Sequence, residues 1–190
     1  MKPYRVDILI QGFVDESNLV SHGLAQYRPT ITLIRASETT AIVDPGTVES
    51  QSEIASALAR EGLTTANITH VIHTHHHLDH NRNTGMFPDV PVLDAWATWQ
   101  GTNFITAAPP LPDGVYIERT PGHTYDSITI FVPTGEGIVA ICGDVFWWEG
   151  DTQSDVYAED RAKLAESRQR ILSKADSVIP GHGPRFAVNK

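Results

Sequence analysis

A dense cluster of histidine and aspartate side chains lies in the segment 74–80, in the pattern H-x-H-x-D-H. Imidazole and carboxylate groups together are good ligands for zinc or a similar first-row metal. If the preceding strand continues in an extended conformation, His75 and His77 point in the same direction. Asp79 and His80 follow as the chain turns, so they can point to a neighbouring position. This segment could therefore supply ligands to two metal ions, because a single tetrahedral zinc would not use all four.

Three further ligand candidates lie elsewhere, each after a short apolar run. His123 belongs to the motif Pro-Gly-His-Thr, Asp144 to Cys-Gly-Asp, and His182 to Pro-Gly-His-Gly. Glycine at such positions permits a tight turn and a close approach of the backbone. Proteins built on sheets often form a site where several strand ends converge on one rim. We therefore expect these three side chains to complete the ligand set of the histidine-rich segment.

In type and order, the seven ligand candidates resemble the metallo-β-lactamase superfamily of dinuclear metallohydrolases, and within it a small, single-domain type. The resemblance extends from Ile31 to about Phe186. Asp44, in an Asp-Pro-Gly sequence after the apolar run 41–43, resembles the first motif of that family, an aspartate behind the metal ligands. The candidate ligands are His75, His77, Asp79, His80, His123, Asp144 and His182.

The resemblance also implies two divalent metal ions, with zinc expected and manganese or iron as alternatives. Two such ions share a water molecule and lower its pKa, so that a bridging hydroxide can attack at neutral pH. We expect Asp79 to be the catalytic side chain, which is both a ligand and the group that orients this nucleophile. The implied division is His75, His77 and His123 on one ion, Asp79, His80 and His182 on the other, and Asp144 on both.

The expected function is that of an enzyme, a dinuclear metal-dependent hydrolase that cleaves an ester, thioester, lactone or phosphodiester bond. Three alternatives stay open: an endoribonuclease or phosphodiesterase as the main activity, a mononuclear iron dioxygenase acting on a persulfide, and a metal-binding protein without catalysis. Asp79, His80 and His182 favour the hydrolase, because a one-metal oxygenase does not need this second trio as ligands. A shared site does not choose among the substrates of a superfamily.

Four residues are candidate substrate contacts, each with an ordinary structural alternative, and three of them lie near the ligand motifs. Arg82 would bring a cation to the metal rim and suit an anionic substrate, or it is a surface charge. Tyr125 could polarise a substrate oxygen or cover the sheet, and Trp147 could form a wall of the site or pack in the core. His22 lies in the loop after the first strand, which family members often use to cover the active site. His76 should point away from its two neighbours, towards solvent.

The composition is typical of a globular protein, with 190 residues, 41% hydrophobic and 19% charged. One domain spanning residues 1–190 is expected. The formal net charge of −9 disfavours nucleic acid without excluding it, so we expect a small-molecule substrate. The chain contains one cysteine, no signal peptide and no apolar run of membrane-spanning length, which predicts a cytoplasmic protein without a membrane partner. The resemblance also allows a homodimer.

The periodicity of the sequence predicts strands, a helix, further strands and a final helix. This alternation indicates an α/β fold, and the resemblance implies a four-layer αββα sandwich, which the pattern alone does not distinguish from other α/β layouts. Strands are expected at 4–12, 31–35, 40–43, 69–72, 91–93, 115–119, 127–132, 137–142 and 177–179. Helices are expected at 50–61 and 157–174, a helix or turn at 83–87, a polar loop at 15–29 and a rigid, proline-containing loop at 107–113.

Overall fold

The computed structural model describes residues 4–36, 38–106, 111, 114–151 and 155–189. Nearly all of the loop expected at 107–113 therefore lies outside the described residues, as does Ser37 in the turn of the predicted hairpin. The described strands form two large sheets and a small two-stranded sheet.

The first sheet has the strand order β1-β4-β5-β6-β7-β8-β9, the second has β10-β11-β12-β13-β14, and β2 pairs with β3. The strands of the described ranges are β1 (Arg5–Ile10), β2 (Phe13–Asp15), β3 (Gln26–Arg28), β4 (Ile31–Arg35), β5 (Thr40–Val43), β6 (His70–Ile72), β7 (Val92–Leu93), β8 (Thr98–Gln100), β9 (Asn103–Ile105), β10 (Tyr116–Arg119), β11 (Ile128–Thr134), β12 (Gly137–Ile141), β13 (Ser177–Ile179) and β14 (Phe186–Ala187). The helices are α1 (Leu19–His22), α2 (Gln51–Arg60), α3 (Leu78–Asn81) and α4 (Arg161–Lys174), with 3₁₀ turns at Thr65–Asn67, Thr84–Met86 and Gly143–Val145.

The central strands are apolar on both faces, as four packed layers require. On β5, Ile42 packs in a cluster with Ile54 and Leu58 of α2. The next residue, Val43, faces the other way and packs between the two sheets with Ile130 of β11. Helix α4 covers the outer face of the second sheet in the same manner. The layers therefore run helix, sheet, sheet, helix, which confirms the predicted αββα sandwich.

Helix α4 begins later than the predicted range of 157–174. The Asp160 side chain accepts hydrogen bonds from the N–H groups of Ala162 and Lys163, so the first helical residue is Arg161. An aspartate in this position satisfies backbone donors that have no partner within the helix. The capping aspartate thus sets the start of the helix more strongly than the apolar spacing does.

Two regions contain strands that the sequence did not predict. The polar loop expected at 15–29 includes α1 and most of the β2–β3 hairpin, and residues 98–105 form the β8–β9 hairpin. All four strands of these hairpins are three residues long. Such strands are too short to show the alternation from which strands are predicted, and pairing with a neighbour determines them instead.

The strands bring the ligand candidates to one edge of the sandwich. The histidine-rich segment follows β6 in the first sheet, and His123 follows β10 in the second. Asp144 and His182 follow β12 and β13, which are parallel neighbours in the second sheet. The carboxyl ends of these strands therefore place side chains from both sheets on the same rim.

Gly122→Ala is expected to reduce the free energy of unfolding by about 2–4 kcal/mol. Gly122 has a φ of 142°, and a Cβ atom there would lie 2.2 Å from the backbone nitrogen of Leu164 in α4. The control is Gly62→Ala, where φ is 72° but nothing lies within 4 Å of the added atom, so only about 1 kcal/mol should be lost. Urea unfolding of both variants measures the difference, and equal losses would contradict the steric argument.

Candidate metal centre

The histidine-rich segment bends away from the first sheet as soon as β6 ends. The backbone bends at Thr74 and His75, and α3 follows three residues later, so this is not the extended continuation that was expected. His75 and His77 nevertheless lie side by side, with ring centroids 4.7 Å apart. Asp79 and His80 belong to α3, and the helical turn directs them to a second position.

The seven ligand candidates of the sequence converge in two groups. In each group, one nitrogen or oxygen atom per residue lies within 4.8 Å of the corresponding atoms of the others. Asp144 connects the groups, because its oxygens lie 3.1 Å from His80 Nε2 and 3.3 Å from His182 Nε2. The first group is His75, His77, His123 and Asp144, and the second is Asp79, His80 and His182.

Protein acceptors fix the orientation of both rings in the second group. His80 Nδ1 donates a hydrogen bond to Asp44 Oδ2 at 2.9 Å, and His182 Nδ1 donates to the carbonyl oxygen of Arg28 at 2.9 Å. In the neutral rings, both Nε2 atoms therefore carry a lone pair and no proton. These two atoms lie 3.4 Å apart, where two lone pairs repel each other unless a cation or a proton lies close to both. The donor set therefore fits a metal ion.

Asp44 also orients a ligand of the first group, through Thr74. The Thr74 hydroxyl donates to Asp44 Oδ2 at 2.6 Å, so its oxygen is free to accept from His75 Nδ1 at 3.1 Å. His75 Nε2 is then a buried lone pair, and no described residue forms a hydrogen bond with it. Asp44 has a φ of 50°, an unfavourable conformation for a residue other than glycine. One strained aspartate thus supports both groups, as an aspartate behind the ligands should.

His123 is oriented by Asp155, which the sequence did not indicate. His123 Nδ1 donates to the buried carboxylate of Asp155, and its Nε2 faces His77 Nδ1 at 3.0 Å. Asp155 lies 32 positions after His123 and belongs to no ligand-like motif. Its place in the loop before α4 carries no local signal that would have revealed it.

The charges of the cluster are strongly coupled. Burial lowers the pKa of His75 well below its ordinary value, and the neighbouring His80 adds to this effect. Burial also opposes the charged form of His80, but Asp144 and Asp44 outweigh it and raise the pKa of His80 well above normal. Burial disfavours the charged form of Asp144, yet His182 and His80 hold its pKa well below normal. The buried carboxylate therefore requires positive charge beside it.

A cavity of about 510 Å³ opens directly above the two groups. Its floor includes ligand candidates of both groups, and its walls are largely aromatic. The rings of Trp147 and Tyr157 stack in parallel with centroids 5.8 Å apart, and Tyr27 meets Trp147 edge-on at 6.3 Å. The sequence did not single out Tyr27 or Tyr157 as wall residues, since one lies in a predicted loop and the other in a predicted helix.

Of the four candidate substrate contacts, Trp147 lines this cavity and the other three do not. Tyr125 is 63% exposed, and the Lys163 ammonium lies 5.1 Å from the centre of its ring. Arg82 and His22 are both exposed, and His22 Nδ1 contacts the hydroxyl of the adjacent Ser21. In the described structure, the cation expected from Arg82 is thus not part of the cavity wall.

Comparison with known proteins identifies the family. The family model described as "Metallo-beta-lactamase superfamily" matches residues 26–100. A Xenopus laevis protein named metallo-beta-lactamase domain-containing protein 1 is 36% identical over 198 residues, which cover 99% of this chain and 83% of the relative. The Homo sapiens protein of the same name is 36% identical over 157 residues, which cover 77% of this chain but only 59% of the relative.

Solved structures share the fold at lower identity. A putative metallo-beta-lactamase from Thermotoga maritima has a TM-score of 0.77 at 19% identity, covering 97% of this chain and 99% of that protein. An N-acyl homoserine lactone hydrolase, with the product N-hexanoyl-L-homoserine bound at its catalytic metal center, has a TM-score of 0.69 at 18% identity, covering 95% and 93%. These similarities establish the fold.

The chain belongs to the metallo-β-lactamase superfamily, and the resemblance read from its motifs is confirmed. It is an enzyme of this superfamily, in the general class of metal-dependent hydrolases. Among the described residues, no helix is both long and apolar enough to cross a membrane.

Zinc binding to the metal-free protein at neutral pH is expected to release protons. The pKa values of His80 and His182 are raised above the ordinary value because Asp144 outweighs the effect of burial, so this pair of rings binds protons more tightly than free imidazoles do, and a metal must displace them. Lowering the pH should then weaken zinc binding, since protons compete for the same nitrogens. Calorimetry in buffers of different ionisation enthalpy measures the released protons. Zinc binding without proton release would contradict this account.

Proposed function

We propose that the chain is a dinuclear metal-dependent hydrolase of uncharged carboxylic esters, thioesters or lactones. The observation that carries the proposal is the pair of ligand groups, joined by Asp144, on the floor of an aromatic-walled cavity. A substrate that enters this cavity meets both groups at once. We propose zinc as the metal, because both groups suit its ligand preferences. The first group offers three imidazoles and a carboxylate, and the second offers two imidazoles and a carboxylate.

When bound, a pair of divalent cations activates a water molecule near neutral pH and polarises the oxygen of the bond to be cleaved. The protein then needs no serine or cysteine nucleophile, which agrees with the position of Cys142. That thiol is fully buried, and burial raises its pKa far above the ordinary value. Cys142 is therefore a packed core residue.

We assign to Asp79 the role of accepting the proton that the attacking water molecule loses in this reaction. Its carboxylate lies 3.6 Å from the Nε2 atoms of His80 and His182, and it lines the cavity. Its side chain is 25% exposed, whereas that of Asp144 is 4% exposed. Asp79 can thus accept a hydrogen bond from water in the cavity and hold the proton that the water loses.

The walls of the cavity favour a neutral substrate over a phosphodiester. Leu78, Ala25 and the rings of Tyr27, Trp147 and Tyr157 supply apolar surface, and the described lining contains no lysine or arginine. Enzymes that bind phosphate oxygens usually supply cationic side chains for them. The lactone hydrolase that shares the fold supports the same choice, because the product bound at its metal center carries an acyl chain.

We also propose that residues 1–190 form one domain, because the cluster between the sheets draws on both halves of the chain. A cytoplasmic location stays a proposal that is supported by the single, buried cysteine.

The proposal is tested by a substrate panel on the full chain, with and without a strong chelator. The panel contains nitrophenyl acetate and butyrate, a thioester, an N-acyl lactone, a nitrophenyl phosphodiester, short RNA and glutathione persulfide, and the bound metal is quantified in parallel. We expect two zinc ions per chain and chelator-sensitive cleavage of the carboxylic substrates. Cleavage of RNA alone would favour the phosphodiesterase, and one iron with oxygen uptake would favour the dioxygenase. Ester cleavage that survives removal of all metal would overturn the mechanism.

Asp79→Asn is expected to lower kcat about 100-fold or more, the usual effect of removing an acid–base group. The variant keeps the size of the side chain and one oxygen ligand, so it should retain most of its metal. Metal content and kcat are measured on the same samples. If kcat falls only in proportion to the lost metal, Asp79 is a ligand and has no part in moving the proton.

A further inference from the structure

His76 lies within the histidine-rich segment but belongs to neither ligand group. Its Nδ1 lies 2.7 Å from Asp126 Oδ2, and its Nε2 lies 3.2 Å from Asp94 Oδ2. Both ring nitrogens therefore face carboxylate oxygens. The side chain is 42% exposed, while those of Asp94 and Asp126 are 6% and 13% exposed. The side chain is exposed, as the sequence predicted, and it also lies between two largely buried acids that the sequence did not indicate.

The two carboxylates belong to different sheets. Asp94 directly follows β7 of the first sheet, and Asp126 lies in the connection between β10 and β11 of the second. That connection also carries His123, three residues before Asp126. His76 therefore joins the segment that holds His75 and His77 to the segment that holds His123.

The carboxylate of Asp94 is firmly held, and Asp126 lies in a closed turn. Asp94 accepts hydrogen bonds from the backbone N–H groups of Trp96 and Ala97 at 2.7 and 2.9 Å, and from Trp99 Nε1 at 2.9 Å. The turn around Asp126 is closed by the hydrogen bond between the hydroxyl groups of Thr124 and Ser127 at 2.8 Å. Rigid partners make a bridge effective, because little conformational entropy is lost when it forms.

Regular strand pairing ends at Ile72, and the last backbone hydrogen bond from the ligand segment to the second sheet is the one that the Ile128 N–H donates to the carbonyl oxygen of Thr74. The residues from His75 to His77 therefore depend on side-chain contacts for their position. His77 and His123 approach each other to 3.0 Å, although 46 positions separate them and they follow strands of different sheets. Sheets that pack face to face can shift relative to one another by small amounts, and a shift at this rim would change the separation of these two rings.

We propose that His76 is a positioning residue, which bridges Asp94 and Asp126 and so holds His77 and His123 at the separation that a shared metal ion requires. This inference rests on the ligand roles in the proposed function, but not on any substrate. Supporting groups behind metal ligands typically contribute 10–100-fold to metal affinity. An ordinary surface ion pair would contribute almost nothing.

The test compares His76→Gln, Asp126→Asn and the double variant with two controls, His70→Gln on β6 and Asp89→Asn in an exposed turn. Zinc affinity is measured on the full chain by competition with a chromophoric chelator. The visible spectrum of the cobalt-substituted protein reports the geometry around the metal, and the melting temperature of each metal-free protein reports stability.

We expect His76→Gln to weaken one zinc site about 10-fold or more and to alter the cobalt spectrum, with both controls unchanged. The double variant should bind zinc no more weakly than His76→Gln, because the two residues act through one contact. Wild-type affinity and spectrum in His76→Gln would overturn the inference. The inference would also be overturned if the losses of zinc affinity from the two substitutions multiplied in the double variant. A fall in the stability of the metal-free protein that is large enough to explain the weaker zinc site would overturn it as well. If the wild type binds two metals but cleaves no substrate of the panel, the proposed function is wrong. The zinc affinities and cobalt spectra of the variants still test this inference in that case.

Discussion

The centre depends on one buried carboxylate. The oxygens of Asp144 lie between 3.1 and 3.5 Å from the Nε2 atoms of His80, His123 and His182. A charge so deep in the protein is very costly unless opposite charge lies beside it. Neutral imidazoles supply none, so the site is stable only with protons or metal cations among its ligands. The requirement for a cation thus follows from the burial of Asp144 alone and does not depend on family membership.

The rest of the rim keeps the nitrogens directed at that position. Asp44, Arg28 and Asp155 each accept the Nδ1 proton of a different ring, so the three Nε2 lone pairs point inward. These partners come from β-strand ends and loops far apart in sequence. The folded sandwich therefore contributes orientation, while the short motifs contribute the ligands. The strained φ of 50° at Asp44 is retained because one residue serves His80 directly and His75 through Thr74.

The sequence predicted the candidate ligands that converge and most of the long elements, because each has a local pattern, whereas the four layers were implied only by the resemblance to the family. The H-x-H-x-D-H spacing and the flanking glycines are local, and so are the apolar runs that mark the central strands. Asp155, Tyr27 and the position of His76 between two carboxylates were missed, because each depends on a partner that is distant in sequence and brought close only by the fold. Arg82 had the right neighbours in sequence, yet the chain turns it outward. Proximity along the chain indicates that a residue is near a site, but not which way its side chain points.

Charge balance supports the proposed preference of this acidic centre for a neutral substrate. Four carboxylates surround the site, those of Asp44, Asp79, Asp144 and Asp155, and two divalent cations would balance their four charges. A centre of near-zero net charge, with no lysine or arginine among its described lining residues, offers a polyanion little long-range attraction, and the chain as a whole carries a formal charge of −9. Short-range polarisation of a carbonyl oxygen is unaffected by this balance, because it depends on the nearest cation. The same electrostatics that disfavour nucleic acid at this pocket are therefore compatible with the proposed hydrolysis of esters.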